Sequence, residues 1–204
     1  MDLDWTSQLA DQLDWQWDNS LRPKLAGLTD DEYLWEPVAG CWNVRPRSSG
    51  APVEPGGEAG GGTRAPGSGP YTVDFAWPEP DPPPVTTIAW RLAHVIVGVF
   101  GMRAANHFGA PPVSYDNFPY AGTAQQALTQ LDQTYTDWRD GVRALSAAEL
   151  ARPCGAAEGP FSAYPLATLV LHINREALHH GAEILLLRDL YRNRGTLAPG
   201  RDVG

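Results

Sequence analysis

The chain is short of cysteine, of basic charge and of long apolar runs, and each shortage removes a class of protein. Only Cys41 and Cys154 are present, and there is no CxxC pair. Two cysteines make no disulfide framework for a chain of 204 residues, and their plain reading is a pair of reduced thiols. Lysine and arginine total 15 against 24 acidic residues, a net charge of -9. Phosphate contact needs a positive footprint, so nucleic acid is not an expected partner, and an anionic membrane has nothing to attract. No stretch of 18 consecutive apolar residues occurs, so no transmembrane helix is expected. The opening "MDLDWTSQLADQLDW" carries acid where a signal peptide carries base, and no apolar core follows it. A cytoplasmic location is the expectation left by elimination.

What is present is enough for a core: 43% apolar residues and eight tryptophans. The length fits a single domain over 1–204. Leu3, Leu9, Leu13, Trp17, Leu21 and Leu25 recur at helical spacing and predict a first helix over Leu3–Leu25. In "LTDDEYLWEP", Thr29 and Glu32 have capping-box spacing for a short helical turn. Residues 46–84 differ in kind, with ten prolines and eight glycines in 39 positions. Such chain is costly to order; its glycine-rich part reads as mobile and its proline-rich end as an extended approach to the next helix. Within it "YTVDFAW" alternates and predicts a short extended patch.

Three more helices are predicted. One runs from about Thr87 to His107, apolar on nearly every side, with Gly109 beyond its end. Another runs from about Thr123 to Ala144, with Leu128, Leu131, Tyr135, Trp138 and Val142 as its buried stripe and a capping-box spacing at Thr123 and Gln126. The last is opened by Pro165 and reaches about Tyr191. Short polar turns, "LTDDEYL" and "LSAAEL", follow the first and third helices, so the chain reads as two helix pairs. The expected fold is all-α, a four-helix bundle with a long Pro/Gly-rich crossover between helices 1 and 2.

The chemistry concentrates in "HINREALHHGAEILLLRDLYR", residues 172–192. At about 100° per residue, His172, Glu176 and His180 form a column of i,i+4 neighbours, with His179 and Glu183 on or near the same polar side. Glu176 and His180 can reach one cation, as i,i+4 histidine pairs do in zinc helices, or they can form a solvated salt-bridging face. A third ligand has to come from another helix, and His94 and His107 are the choices. His94 lies in "WRLAHVIVGVF", where a buried imidazole needs either a hydrogen bond or a metal. His107 has a blander role, complementing a helix C-terminus. His172 is either a fourth ligand or one turn too far, and His179 stands beside the site. Two nitrogens and a carboxylate would leave zinc an open position, and nickel, iron or manganese accept the same set. Arg175 and Arg188 are candidates for holding an anion, although the charges of "LLLRDLYR" more simply bond to one another. The glycines at 56–62 do not lie between strand and helix and make no phosphate loop.

"GCWNVRP" after "LTDDEYLWEP", the histidine of "AWRLAHV", and the histidine-rich last helix together resemble the DinB-like four-helix-bundle proteins, which include mycothiol-dependent maleylpyruvate isomerase. The resemblance spans the chain outside the 46–84 insert. It implies a metal triad of one ligand from the second helix and two, four apart, from the last: His94, Glu176 and His180. Many members have histidine where Glu176 stands, and the mycothiol-dependent branch has glutamate. The resemblance thus implies a divalent metal, usually zinc, and a low-molecular-weight thiol such as mycothiol.

The expectation is therefore a metal-dependent S-transferase or isomerase acting on a small electrophile, with His179 the nearest group for proton handling. A metal hydrolase using activated water and a non-enzymatic metal-binding stress-response bundle are the alternatives. A homodimer is expected, since small bundles often pair.

Overall fold

The computed structural model describes residues 3–47 and 62–196. Among them are four long helices, three short helical segments and four short strands. The expected mobility of the glycine-rich stretch concerns residues that fall largely outside this set.

Helix α1 (5–24) starts at Asp4, whose side chain accepts from the Ser7 N–H, so Leu3 lies before the helix and is exposed. Its remaining stripe, Leu9, Leu13, Trp17, Leu21 and Leu25, is buried as the periodicity requires. The middle of α1 widens into a π-helical turn at Trp17–Leu21. Helix α2 (Asp30–Tyr33) carries the expected capping box, Thr29 and Glu32 satisfying each other's backbone groups.

Helix α3 (88–108) is capped by Thr87 and closed by Gly109 in the left-handed region. It too contains a π-helical stretch, Val95–Gly101. The absence of a side chain at Gly101 permits this: a Cβ there would stand 2.7 Å from the Ile96 carbonyl oxygen. By length and hydropathy α3 passes as a membrane-crossing helix, a property that core helices share, and its Val95, Ile96, Val97 and Phe100 are buried in the protein core. Helix α4 (Ala124–Arg143) buries the predicted stripe, although at its start only the Thr123 side chain caps, without the reciprocal bond from Gln126. Helix α5 (Ala147–Ala151) has a full capping box from Ser146 and Glu149, and a 3-10 segment, Ala156–Phe161, follows. Helix α6 (Leu166–Asn193) is the longest.

Helices α1 and α3 each pack against both α4 and α6, which gives the four-helix core. Trp17 stacks on Tyr135 at 3.6 Å, and Phe100 meets both rings edge-on, so α1, α3 and α4 share one aromatic centre. The all-α expectation holds for this core but omits the crossover. There β1 (Val44–Pro46) pairs antiparallel with β3 (Tyr71–Val73), and β2 (Gly62–Arg64) with β4 (Phe75–Trp77). "YTVDFAW" is thus two strands with different partners rather than one extended patch.

The "GCWNVRP" segment ties this crossover to the start of α3. Asn43 receives a hydrogen bond from the Thr87 hydroxyl at 2.8 Å and donates to the Leu34 carbonyl at 3.0 Å. Asp74 accepts from the Asn43 N–H and from Arg45, while its own carbonyl accepts from the Trp90 indole at 2.8 Å. Trp90 is thereby fixed one turn before His94. The glycine of this arrangement that matters is Gly40, whose φ of +79° makes the turn leading into it.

Candidate metal centre

His94 ends the first, regular part of α3, and Glu176 and His180 lie four apart on α6, which packs against it. The two imidazoles meet almost at right angles, ring centres 4.7 Å apart. Glu176 Oε2 lies 3.6 Å from His180 Nε2. His180 is buried, Glu176 half-buried, and His94 is flanked by Trp90 and Tyr115, both rings nearly parallel to its own.

Both histidines have one nitrogen already engaged. His180 Nδ1 is 2.7 Å from Glu183 Oε2, and the same carboxylate is held by Arg91 at 3.1 Å. Burial would raise the Glu183 carboxyl, but the hydrogen bond from His180 and the charge of Arg91 win, leaving it below the usual carboxylate range. An ionised carboxylate only accepts, so in the neutral ring the proton of His180 sits on Nδ1 and Nε2 is the atom with the lone pair. His94 Nδ1 is 2.7 Å from the Tyr115 hydroxyl. A hydroxyl accepts as well as donates, so with the proton on Nδ1 the Nε2 of His94 is likewise a free donor atom. Burial, the neighbouring His180 and the Arg91 charge lower the His94 pKa to about 4. At neutral pH it is an uncharged imidazole, the form that metals bind.

A second grouping shares His180. The donor atoms of His179, His180 and Glu183 all lie within 4.8 Å of one another, the one such trio among the described residues. His179 is 62% exposed, with Nε2 3.5 Å from Glu183 Oε1. His94 and Glu176 approach the same His180. The donor chemistry suits a divalent cation either way, since neutral imidazole and carboxylate are the ligands of zinc and its neighbours.

The other histidines are elsewhere. His107 is buried against Glu158 at 2.9 Å, so its partner is this carboxylate rather than the helix end, and it takes no part in the centre. His172 reaches Glu176 at 3.4 Å but lies about two turns from His180. Arg188 neither bonds Asp189 nor faces a cleft: it is buried, donating to Glu32 at 3.0 Å and to the carbonyls of Lys24 and Ala26. Tyr115 and Arg91 are the residues that sequence reasoning missed. Arg91 lies three residues before His94, one helical turn, a spacing that was readable; Tyr115 comes from the loop after α3, and no periodicity marks it.

A half-buried imidazole from one helix set against a buried imidazole and carboxylates from another defines a helical bundle with a metal-type donor cluster. Residues 12–184 match the DinB superfamily, and the chain belongs to that family. Comparison with curated proteins finds no match, and comparison with solved structures finds none. Family and cluster together support a metal-associated enzymatic role.

Proposed function

We propose that the protein is a metal-dependent enzyme of thiol chemistry, an S-transferase or isomerase acting on a small electrophile, with His94, Glu176 and His180 holding the ion. The approach of His94 to His180 carries this reading, because it brings a nitrogen from α3 to the α6 column. Glu183 is better employed behind His180 than on the ion, since its Oε2 is already shared between His180 Nδ1 and Arg91. When bound, a divalent cation supplies Lewis acidity that lowers the pKa of a thiol or of water. The chain's own contribution is to keep His94 neutral and both imidazoles oriented, with Tyr115 and Glu183 fixing the outer nitrogens. In this reading His179, on the solvent side of Glu183, passes protons between the site and bulk water. The glutamate at 176, where a histidine would be the commoner choice, favours the mycothiol-dependent branch and zinc.

The same donor set favours a second reading. Two histidines and one glutamate also suit hydrolysis by activated water. Elemental analysis tests the site, and a cobalt-substituted protein tests the chemistry. Wild type should hold one ion per chain, His94→Ala and Glu176→Gln should lose it, and His179→Ala should keep it. Retention by His94→Ala with loss by His179→Ala would move the ion to the outer trio. A low-molecular-weight thiol should shift the cobalt absorption; an unchanged spectrum, with ester hydrolysis that needs no thiol, would replace the thiol reading by the second.

A further inference from the structure

Outside the metal centre the molecule has a cleft of about 510 Å³ between the segment that joins α5 to α6 and the first three turns of α6. The volume is that of a small-molecule site. Its walls hold an unusual concentration of exposed apolar groups: Phe161 is 64% exposed, Tyr164 52% and Leu171 53%. Three large side chains left uncovered around one concavity mark a surface with a partner.

The charges of the lining are also uneven. Glu158 is its acid, and both oxygens are taken, one by His107 at 2.9 Å and the other by Arg103 at 3.1 Å. That pairing leaves Arg175 as the one cation of the lining not tied to Glu158. Arg175 is steadied at the rim by Glu176 at 3.3 Å and by His172 Nδ1 at 2.6 Å. These two contacts use two of the five N–H groups of a guanidinium, and the rest remain for a ligand.

We propose that this cleft binds a small carboxylic acid with an apolar body of about the size of one aromatic ring, the ring lying among Phe161, Tyr164 and Leu171 and the carboxylate on Arg175. The site is distinct from the proposed ion site, although Arg175 contacts Glu176, which belongs to that site. His172, which lines the cleft and touches Glu176 at 3.4 Å, places the two one helical turn apart.

Amide NMR titration of the full chain, stripped of metal by chelation, tests the proposal with 3-phenylpropanoate and its uncharged amide. Stripping the metal prevents coordination of the carboxylate at His94 and His180. The acid should bind saturably, with shifts confined to residues 152–176, and the amide about tenfold more weakly. Arg175→Gln, a change at an exposed side chain, should weaken the acid to the level of the amide. Phe161→Ala should weaken both. Equal binding of acid and amide, indifference to Arg175→Gln, or no localised shifts at the solubility limit of the acid would overturn it. Because metal content is measured separately, failure here leaves the metal reading standing, and loss of that reading leaves the cleft.

Discussion

Tyr115 lies outside the proposed donor set and yet orients one of its members. Its hydroxyl holds His94 Nδ1, and it reaches that nitrogen only because position 98 has no side chain: a Cβ on Gly98 would overlap the hydroxyl and stand 3.3 Å from His94 Nδ1. Partners of this kind orient a ligating imidazole, and their loss typically costs about 10–100-fold in metal affinity. Tyr115→Phe should therefore weaken metal binding by about that factor, measured by competition with a chromophoric chelator, while circular dichroism stays that of wild type. Gly98→Ala should act in the same direction by pushing the ring aside. Wild-type affinity in both variants would remove Tyr115 from the site. None of this was legible beforehand. His94 was marked by its apolar flanks, and the column of His172, Glu176 and His180 by helical spacing, but Tyr115 is 21 residues from His94 in a loop without periodicity.

At the scale of elements, the short helix α2 is held to the far end of α6 by a buried charge pair. Glu32 and Arg188 are both almost fully covered, and Arg192 adds a second cation at 3.1 Å. Burial would raise the Glu32 carboxyl, but the bond from Arg188, the Thr29 N–H and the two positive charges outweigh it, and its pKa falls below the ordinary 4.5. A carboxyl whose pKa is lower folded than unfolded contributes stability above the unfolded value and loses it as pH falls through the folded one. Glu32→Gln leaves Arg188 buried without its anion and should cost about 3 kcal/mol at pH 7. The gap between variant and wild type in urea melts should narrow below pH 4.5, and a gap independent of pH would refute the assignment. The capping box at Thr29 and Glu32 was readable because its partners are three residues apart; the pair with Arg188, 156 residues away, was not. Distance along the chain hid the strand pairings for the same reason. Alternation in "YTVDFAW" signals extended backbone but says nothing of which half meets β1 and which meets β2.

For the whole molecule, the candidate centre joins α3 to α6 across the core, so an ion there acts as a cross-link in the folded state alone. At a free concentration 100 times its dissociation constant, a bound ion adds about 2.7 kcal/mol. Zinc should thus raise the melting temperature of wild type by several degrees and leave that of His94→Ala in place, by differential scanning calorimetry with and without chelator. An equal rise in both proteins would mean that the ion stabilises from elsewhere, the outer trio included. The four long helices were visible at this scale because each spans enough turns for its stripe to repeat. The π-helical stretches were not, since one added residue in a turn leaves no mark on composition.

That added residue in α3 has a consequence for handedness of aim. Downstream of Val95–Gly101 the helix is out of phase with its first half by one residue, about 100° of rotation. The front half therefore points Arg91 to Glu183 and His94 to His180, while the rear half swings Arg103 and His107 round to Glu158 beside the cleft. Excising one residue from this stretch would bring the rod back into step and force the two ends to compete for a single direction.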